Sequence, residues 1–116
     1  MATMILNERA VDKARDLIRS RQYVLDSSWG DANPGADDEN RFLERHDLPD
    51  YALWHLAEDP EAGEDTKGRY RYPYGDFRRV HRSGLVAARQ RAAQNDHSEV
   101  ERAAAELLEL LDETAA

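Results

Sequence analysis

The sequence predicts an α+β fold, mainly helical, with three main helices, one short helix and a small antiparallel β-hairpin. Three observations predict it. Apolar residues recur at helical spacing after Asn7, after Asp76 and after Ser98. Arg69–Tyr74 alternates, placing Tyr70, Tyr72 and Tyr74 on one face and Arg69, Arg71 and Pro73 on the other. Clusters of Ser, Asn, Gly and Pro separate these runs. The chain of 116 residues is the size of one domain, taken as 1–116.

The first helix is expected to start at Asn7, whose side chain can accept an unpaired backbone N–H. Val11, Ala14, Leu17 and Ile18 form its apolar face, and Arg15, Arg19 and Arg21 suit the negative end of its dipole. Tyr23-Val24-Leu25 begins an extended piece. Residues 26–35 read as a loop with Trp29 anchored to the core. Asp37 and Asp38 cap a short helix over 38–46, with Phe42 and Leu43 inward, and Leu48-Pro49 breaks it. Tyr51–Ala57 fits either a strand or a turn and a half of helix. The strand is preferred because 69–74 alternates cleanly and can pair with it across the acidic loop Glu58–Asp65. Pro73 confines its strand to an edge or an end.

Gly75-Asp76 then punctuates a change to helix, with Asp76 as N-cap and the helix running over 77–94. One arc of that helix carries Phe77, Val80, Gly84, Leu85, Ala87, Ala88 and Ala92. The other carries Arg78, Arg79, Arg82 and Arg89 as a basic stripe. Gly84 lowers helix propensity by ~1 kcal/mol against Ala, which suggests close helix contact. Ser98-Glu99-Val100-Glu101 fits a capping box, Asp96-x-x-Glu99 offers a second register, and the stripe Val100, Ala103, Ala104, Leu107, Leu108, Leu110 and Leu111 defines the last helix. Residues 113–116 are expected to fray.

Composition removes several classes of function. There is no cysteine, which excludes disulfides and thiolate zinc sites. The start of the chain turns polar at Asn7, too soon for a signal core, and no apolar run approaches the ~20 residues that span a bilayer, so a cytoplasmic location is expected. Leu, Ile, Val and Phe make up 21 residues, a thin core that favours stabilisation by a partner or a second copy. Charge is segregated: net −11 over 26–65, net +7 over 66–94 and net −6 over 95–116, within a total of −8.

The basic segment is the candidate binding surface: Arg69, Arg71, Tyr72, Tyr74, Arg78, Arg79, Arg82 and Arg89. Arginines beside tyrosines suit phosphates and stacked bases, or the acidic flanks of this chain and its copies. An acidic pI near 4.9 favours the second use. His46, His55, His81 and His97 are dispersed, so no metal site is expected, and His81 reads as a core histidine with a satisfied hydrogen bond. Asp31-x-Asn33 fails as a calcium loop because position twelve is Phe42. The carboxylates of 59–65 read as a solvated loop. Ser83 beside His81 points away on a helix, no Gly-x-Ser-x-Gly elbow exists, and Gly63–Gly68 is out of order for a P-loop.

The string Thr66-Lys67, Tyr70, Tyr72-Pro73-Tyr74-Gly75-Asp76-Phe77, Val80-His81-Arg82, Gly84-Leu85, Ala87-Ala88, Arg91-Ala92 and Gln94 resembles a family of uncharacterised microbial proteins. Tyr51–Leu56 and Ala10–Trp29 extend the likeness over most of the chain. The resemblance implies no activity, cofactor or catalytic residue. A fainter similarity joins Tyr72–Asp76 and Ala88, Arg91 and Gln94 to a small phage-associated domain, with the intervening helix about one turn longer here.

The function expected from these readings is a non-enzymatic interaction module without cofactors, pairing with itself or another protein. Nucleic-acid binding through the same stripe is the alternative. An enzyme whose site forms only by tertiary convergence is the third reading.

Overall fold

The computed structural model describes residues 4–63 and 65–116. Met1–Thr3 and Glu64, the start of the apolar N-terminal run and one carboxylate of the acidic loop, lie outside the described residues. The architecture is α+β and mainly helical. In chain order it runs β1 (Ile5–Leu6), α1 (Glu8–Arg19), β2 (Tyr23–Val24), α2 (Trp29–Ala32), α3 (Ala36–Arg45), α4 (Leu48–Ala52), β3 (His55–Glu58), a 3-10 turn at Lys67–Arg69, β4 (Tyr70–Pro73), β5 (Val80–His81), α5 (Arg82–Gln94) and α6 (Ser98–Ala115). Two of the helices, α2 and α4, are short additions to the four expected. The fray foreseen for 113–116 does not occur before Ala115.

The expected hairpin forms, with β3 and β4 antiparallel and His55, Ala57 and Glu58 opposite Pro73, Arg71 and Tyr70. A third strand was not foreseen: β1 pairs with the far side of β3, in the order β1-β3-β4. Pro73 therefore sits on an edge strand, where its missing N–H breaks no ladder bond. The stretch 51–57 divides between the two readings it allowed. Tyr51 and Ala52 close α4, and His55–Glu58 is strand. Leu48 and Pro49 do not merely end α3. They open α4, because Asp47 caps it (Oδ1 accepts the Asp50 N–H at 3.0 Å) and proline is tolerated in a first helical turn.

Asn7 caps α1 as the sequence predicts and does more. Its Oδ1 accepts the Ala10 N–H at 3.4 Å, and its Nδ2 donates to the carbonyls of Ala52 at 2.9 Å and His55 at 3.2 Å. One side chain thus fixes α1 against β3. At the other end Arg21, at φ 60°, closes the helix in the left-handed region, with Gln22 N–H returning to the Leu17 carbonyl and Arg21 N–H to that of Ile18. Asp96, at φ 58°, ends α5 in the same way. The chain then enters α6 with His97 as N-cap, and neither capping box read around Ser98 forms, because neither Ser98 nor Asp96 holds the N-cap position.

The largest departure from expectation is between Gly75 and His81. Asp76 does not cap a helix. Its Oδ1 accepts the N–H groups of Arg78 and Arg79 at 3.0 and 2.8 Å, and Phe77 adopts φ 68°, which no right-handed helix allows. Val80 and His81 are strand residues, paired parallel to Tyr23 and Val24. Tertiary pairing to β2 defeats the helical period that the sequence suggests here. Helix α5 therefore starts at Arg82, and Arg78 and Arg79 are not on it.

The core lies where α1, α5 and α6 meet the three-stranded sheet. Ala10, Ala14 and Ile18 of α1, Leu56 and Ala57 of β3, Leu85, Ala88 and Ala92 of α5, and Val100, Ala104, Leu107, Leu108 and Leu111 of α6 are buried together. Gly84 of α5 permits the close contact expected, against Trp29 at the start of α2 and against the Tyr74 backbone. A methyl group there would lie 2.7 Å from the Tyr74 carbonyl oxygen and 2.8 Å from the Trp29 ring, which packs on this spot as the expected anchor. Replacing Gly84 by Ala gains ~1 kcal/mol of helix propensity. It also forces apart a backbone carbonyl that accepts the His81 N–H at 3.0 Å, an overpacking that costs about 1–3 kcal/mol. Gly84→Ala is expected to lower the urea midpoint; an unchanged or raised midpoint contradicts the packing described.

Candidate functional site

The eight residues of the predicted surface take up different positions. Arg69 is bound within the chain: Nη1 donates to the Ala62 carbonyl at 3.0 Å, and Nε lies 3.7 Å from Glu58. Arg82 forks onto Asp112, with Nε and Nη2 donating to the two carboxylate oxygens at 2.8 and 3.1 Å. This exposed pair raises the Arg82 pKa and lowers that of Asp112 through mutual hydrogen bonding. Tyr74 is fully buried and donates its hydroxyl to the Leu53 carbonyl at 2.7 Å, so it belongs to the core. Tyr72 is buried as a ring, with its hydroxyl against His97.

Arg71, Arg78, Arg79 and Arg89 are exposed, and among the described residues none has a carboxylate within salt-bridge distance. Arg78, Arg89 and Arg71 line three depressions that share no lining residue. The Arg89 groove, between α5 and α6, also holds Arg82, Glu101, Glu109 and Asp112.

The depression beside Arg78, about 610 Å³, brings in residues the sequence did not single out. Arg41 and Arg45 of α3 join Arg78 around a ladder of rings. His46 stacks on Phe42 with centroids 4.3 Å apart, and Phe42 stacks on Phe77 at 4.5 Å. Asp38, Glu44 and Asp76 share the rim. The ladder continues inward from Phe77 to Tyr51 and Trp54, and from these to His55, Tyr70 and Tyr74. The left-handed Phe77 backbone is what turns its ring into this column.

His81 is buried, as expected of a core histidine, and both ring nitrogens are bonded. Nε2 donates to Asp76 Oδ2 at 2.9 Å. In the neutral ring Nδ1 then accepts from Ser27 Oγ at 2.7 Å, and Ser27 in turn accepts from Ser83 Oγ at 2.9 Å. The sequence reading had Ser83 and His81 pointing apart on one helix; His81 precedes the helix, and Ser27, 54 positions away, joins them. The order Ser–His–Asp has the connectivity of a hydrolase triad. Neither Ser27 nor Ser83 lines the depressions beside Arg78, Arg89 and Arg71, and the Trp29 ring lies 6.1 Å from that of His81. The arrangement clasps the 76–81 turn to the loop after β2. Burial pushes the Asp76 pKa up, but the bonds from His81, Arg79 N–H and Arg78 N–H outweigh it and hold the carboxyl below its ordinary value.

His55 is the other buried imidazole. Nδ1 donates to the Tyr51 carbonyl at 2.9 Å, and the Tyr51 hydroxyl donates to Glu39 Oε2 at 2.8 Å. Burial pushes the His55 pKa from 6.5 down to about 4, against smaller opposing effects of the Tyr51 carbonyl and the Glu39 charge. Among the described residues no cluster of three His, Asp or Glu side chains is placed to hold a metal, and no helix is long and apolar enough to cross a membrane.

No family model, curated protein or solved structure matches this chain.

The folded state resists protonating His55, whereas the unfolded chain takes the proton near pH 6.5. Stability from this group is therefore complete above pH 6.5 and falls as pH drops toward 4, by about 3 kcal/mol at 1.36 kcal/mol per unit. The Asp76 contribution has the opposite origin and a separate window: it is present above the ordinary carboxyl range and lost only below it. In urea unfolding across pH 7 to 4, His55→Gln is expected to give a shallower decline than the parent. Parallel curves would show that His55 is not held neutral by burial.

Proposed function

We propose that this chain is a non-enzymatic, cytoplasmic interaction module that pairs with an acidic protein surface, a second copy of itself being the nearest candidate. The observation that carries the reading is the turn at Arg78 and Arg79. Both guanidinium groups are exposed and unpaired among the described residues, on a turn held rigid by three hydrogen bonds to one Asp76 carboxylate. Arg41 and Arg45 add cationic charge on the same side of the depression, Arg41 reaching Asp38 only at 3.9 Å. A rigid cationic turn loses little entropy on docking. The net −11 of residues 26–65 supplies a complementary surface on every copy, and the absence of cysteine suits a reducing compartment.

Nucleic-acid binding is the second reading, and one observation favours it. His46 is half exposed at the outer end of the ring ladder, beside the arginines, where a base could stack. Asp38, Glu44 and Asp76 on the same rim, and a net charge of −8, oppose a phosphate backbone there.

Light scattering behind size exclusion separates the two. At tens of micromolar the protein is expected to run above its monomer mass of 13.3 kDa in low salt. It should return to monomer at ~1 M salt, where the screening length falls to about 3 Å. Arg78→Glu with Arg79→Glu should be monomeric in both. A strict monomer in low salt removes self-pairing, and salt-sensitive retention of single-stranded RNA by the parent but not by the double variant would move the assignment to nucleic acid.

A further inference from the structure

We propose that the pocket between β4 and the α5–α6 turn binds a small phosphate-class dianion, either inorganic phosphate or a phosphomonoester. The pocket encloses about 420 Å³, and its polar lining is Arg71, Tyr72, Arg91, Gln94, Asn95 and His97. Each of these side chains can donate a hydrogen bond. Among the described residues no carboxylate lines the pocket, although the chain carries 24 Asp and Glu residues and the depressions beside Arg78 and Arg89 have three each. Two arginines beside neutral groups that can also donate suit an oxyanion.

The lining is also built in place. Arg71 donates Nε to the Gly68 carbonyl at 3.0 Å, which steadies the guanidinium and leaves its terminal nitrogens uncommitted. Arg91 has no partner among the described residues. Tyr72 holds φ 64°, a conformation an aromatic residue rarely adopts, and its buried ring brings the hydroxyl to His97 Nδ1 and within 3.4 Å of Asn95 Nδ2. Asp96, at φ 58°, makes the turn that sets Asn95 and His97 on the same side. Two of the four residues with positive φ thus shape one small pocket. His97 is the N-cap of the 18-residue α6 yet makes no capping bond with its side chain. Two fixed positive charges, on Arg71 and Arg91, match a dianion better than a monoanion.

This site does not rest on the pairing assigned to the Arg78 turn, and its test uses different residues. Backbone amide NMR of the full chain is titrated with sodium phosphate, ribose 5-phosphate and adenosine monophosphate, against sodium chloride at equal ionic strength. Phosphate is expected to shift residues 71–72, 91 and 94–97 saturably, where chloride does not. Arg71→Gln and Arg91→Gln should each raise the Kd at least tenfold, and the exposed control Arg19→Gln should leave it unchanged. Because Arg71 and Arg91 are exposed, their variants keep the parent spectrum elsewhere. Tighter binding of both esters than of phosphate would identify a phosphomonoester as the ligand; equal affinity would identify the free anion. The proposal is overturned if phosphate shifts these residues no more than chloride does. It is also overturned if the Arg71→Gln, Arg91→Gln double variant binds phosphate like the parent.

Discussion

Both oxygens of the Asp76 carboxylate are engaged, by two backbone N–H groups and one imidazole, and the rest of the structure is arranged around that fact. The turn it holds sends Phe77 into the ring ladder, delivers Val80 and His81 to β2, and sets the position from which α5 departs. Gly75 and Gly84 flank the turn because neither position has room for a side chain: a methyl group at Gly75 would lie 2.5 Å from the Arg79 carbonyl oxygen.

A chain with so few aliphatic residues needs another source of burial, and the rings supply it. His46, Phe42, Phe77, Tyr51, Trp54, His55, Tyr70 and Tyr74 form one continuous network. Lys13 of α1 closes over the outer face of Trp54, 5.3 Å from the ring. Aromatic pairs add about 0.5–1.5 kcal/mol beyond area burial. Their polar atoms are accounted for as well: among the described residues no buried side-chain nitrogen or oxygen lacks a hydrogen-bond partner. The cost of hiding two imidazoles is met by bonds that fix their tautomers.

The arginines divide by what surrounds them. Arg69 and Arg82 close on carboxylates or carbonyls of their own chain. Arg78, Arg79 and Arg91 have no such partner among the described residues, and Arg71 spends only Nε on the Gly68 carbonyl; these four carry the two functional readings. Screening keeps exposed charges from acting over more than about 10 Å at ordinary salt, so a net negative protein can hold locally cationic sites that attract anions.

The sequence by itself determined what depends on near neighbours: the α+β class, the Asn7 cap, the buried stripes of α1 and α6, the antiparallel hairpin with Pro73 on its edge, and the buried, satisfied His81. Capping, periodicity and alternation are properties of a few adjacent residues, so they are legible in one dimension. Only the tertiary structure decided the start of α5, the strand at Val80, the meeting of Ser27 with His81, and the gathering of Arg71, Arg91 and His97 around one tyrosine. The deciding partners are distant along the chain: Tyr23 is 57 positions from Val80, Ser27 is 54 from His81, and Tyr72 is 19 from Arg91 and 25 from His97. Residues 77–81 of the expected 77–94 helix are lost for the same reason, while 82–94 is helical: a local period of 3.6 is opposed by pairing with Tyr23 and Val24, and the pairing, with an aspartate already committed to the turn, is stronger.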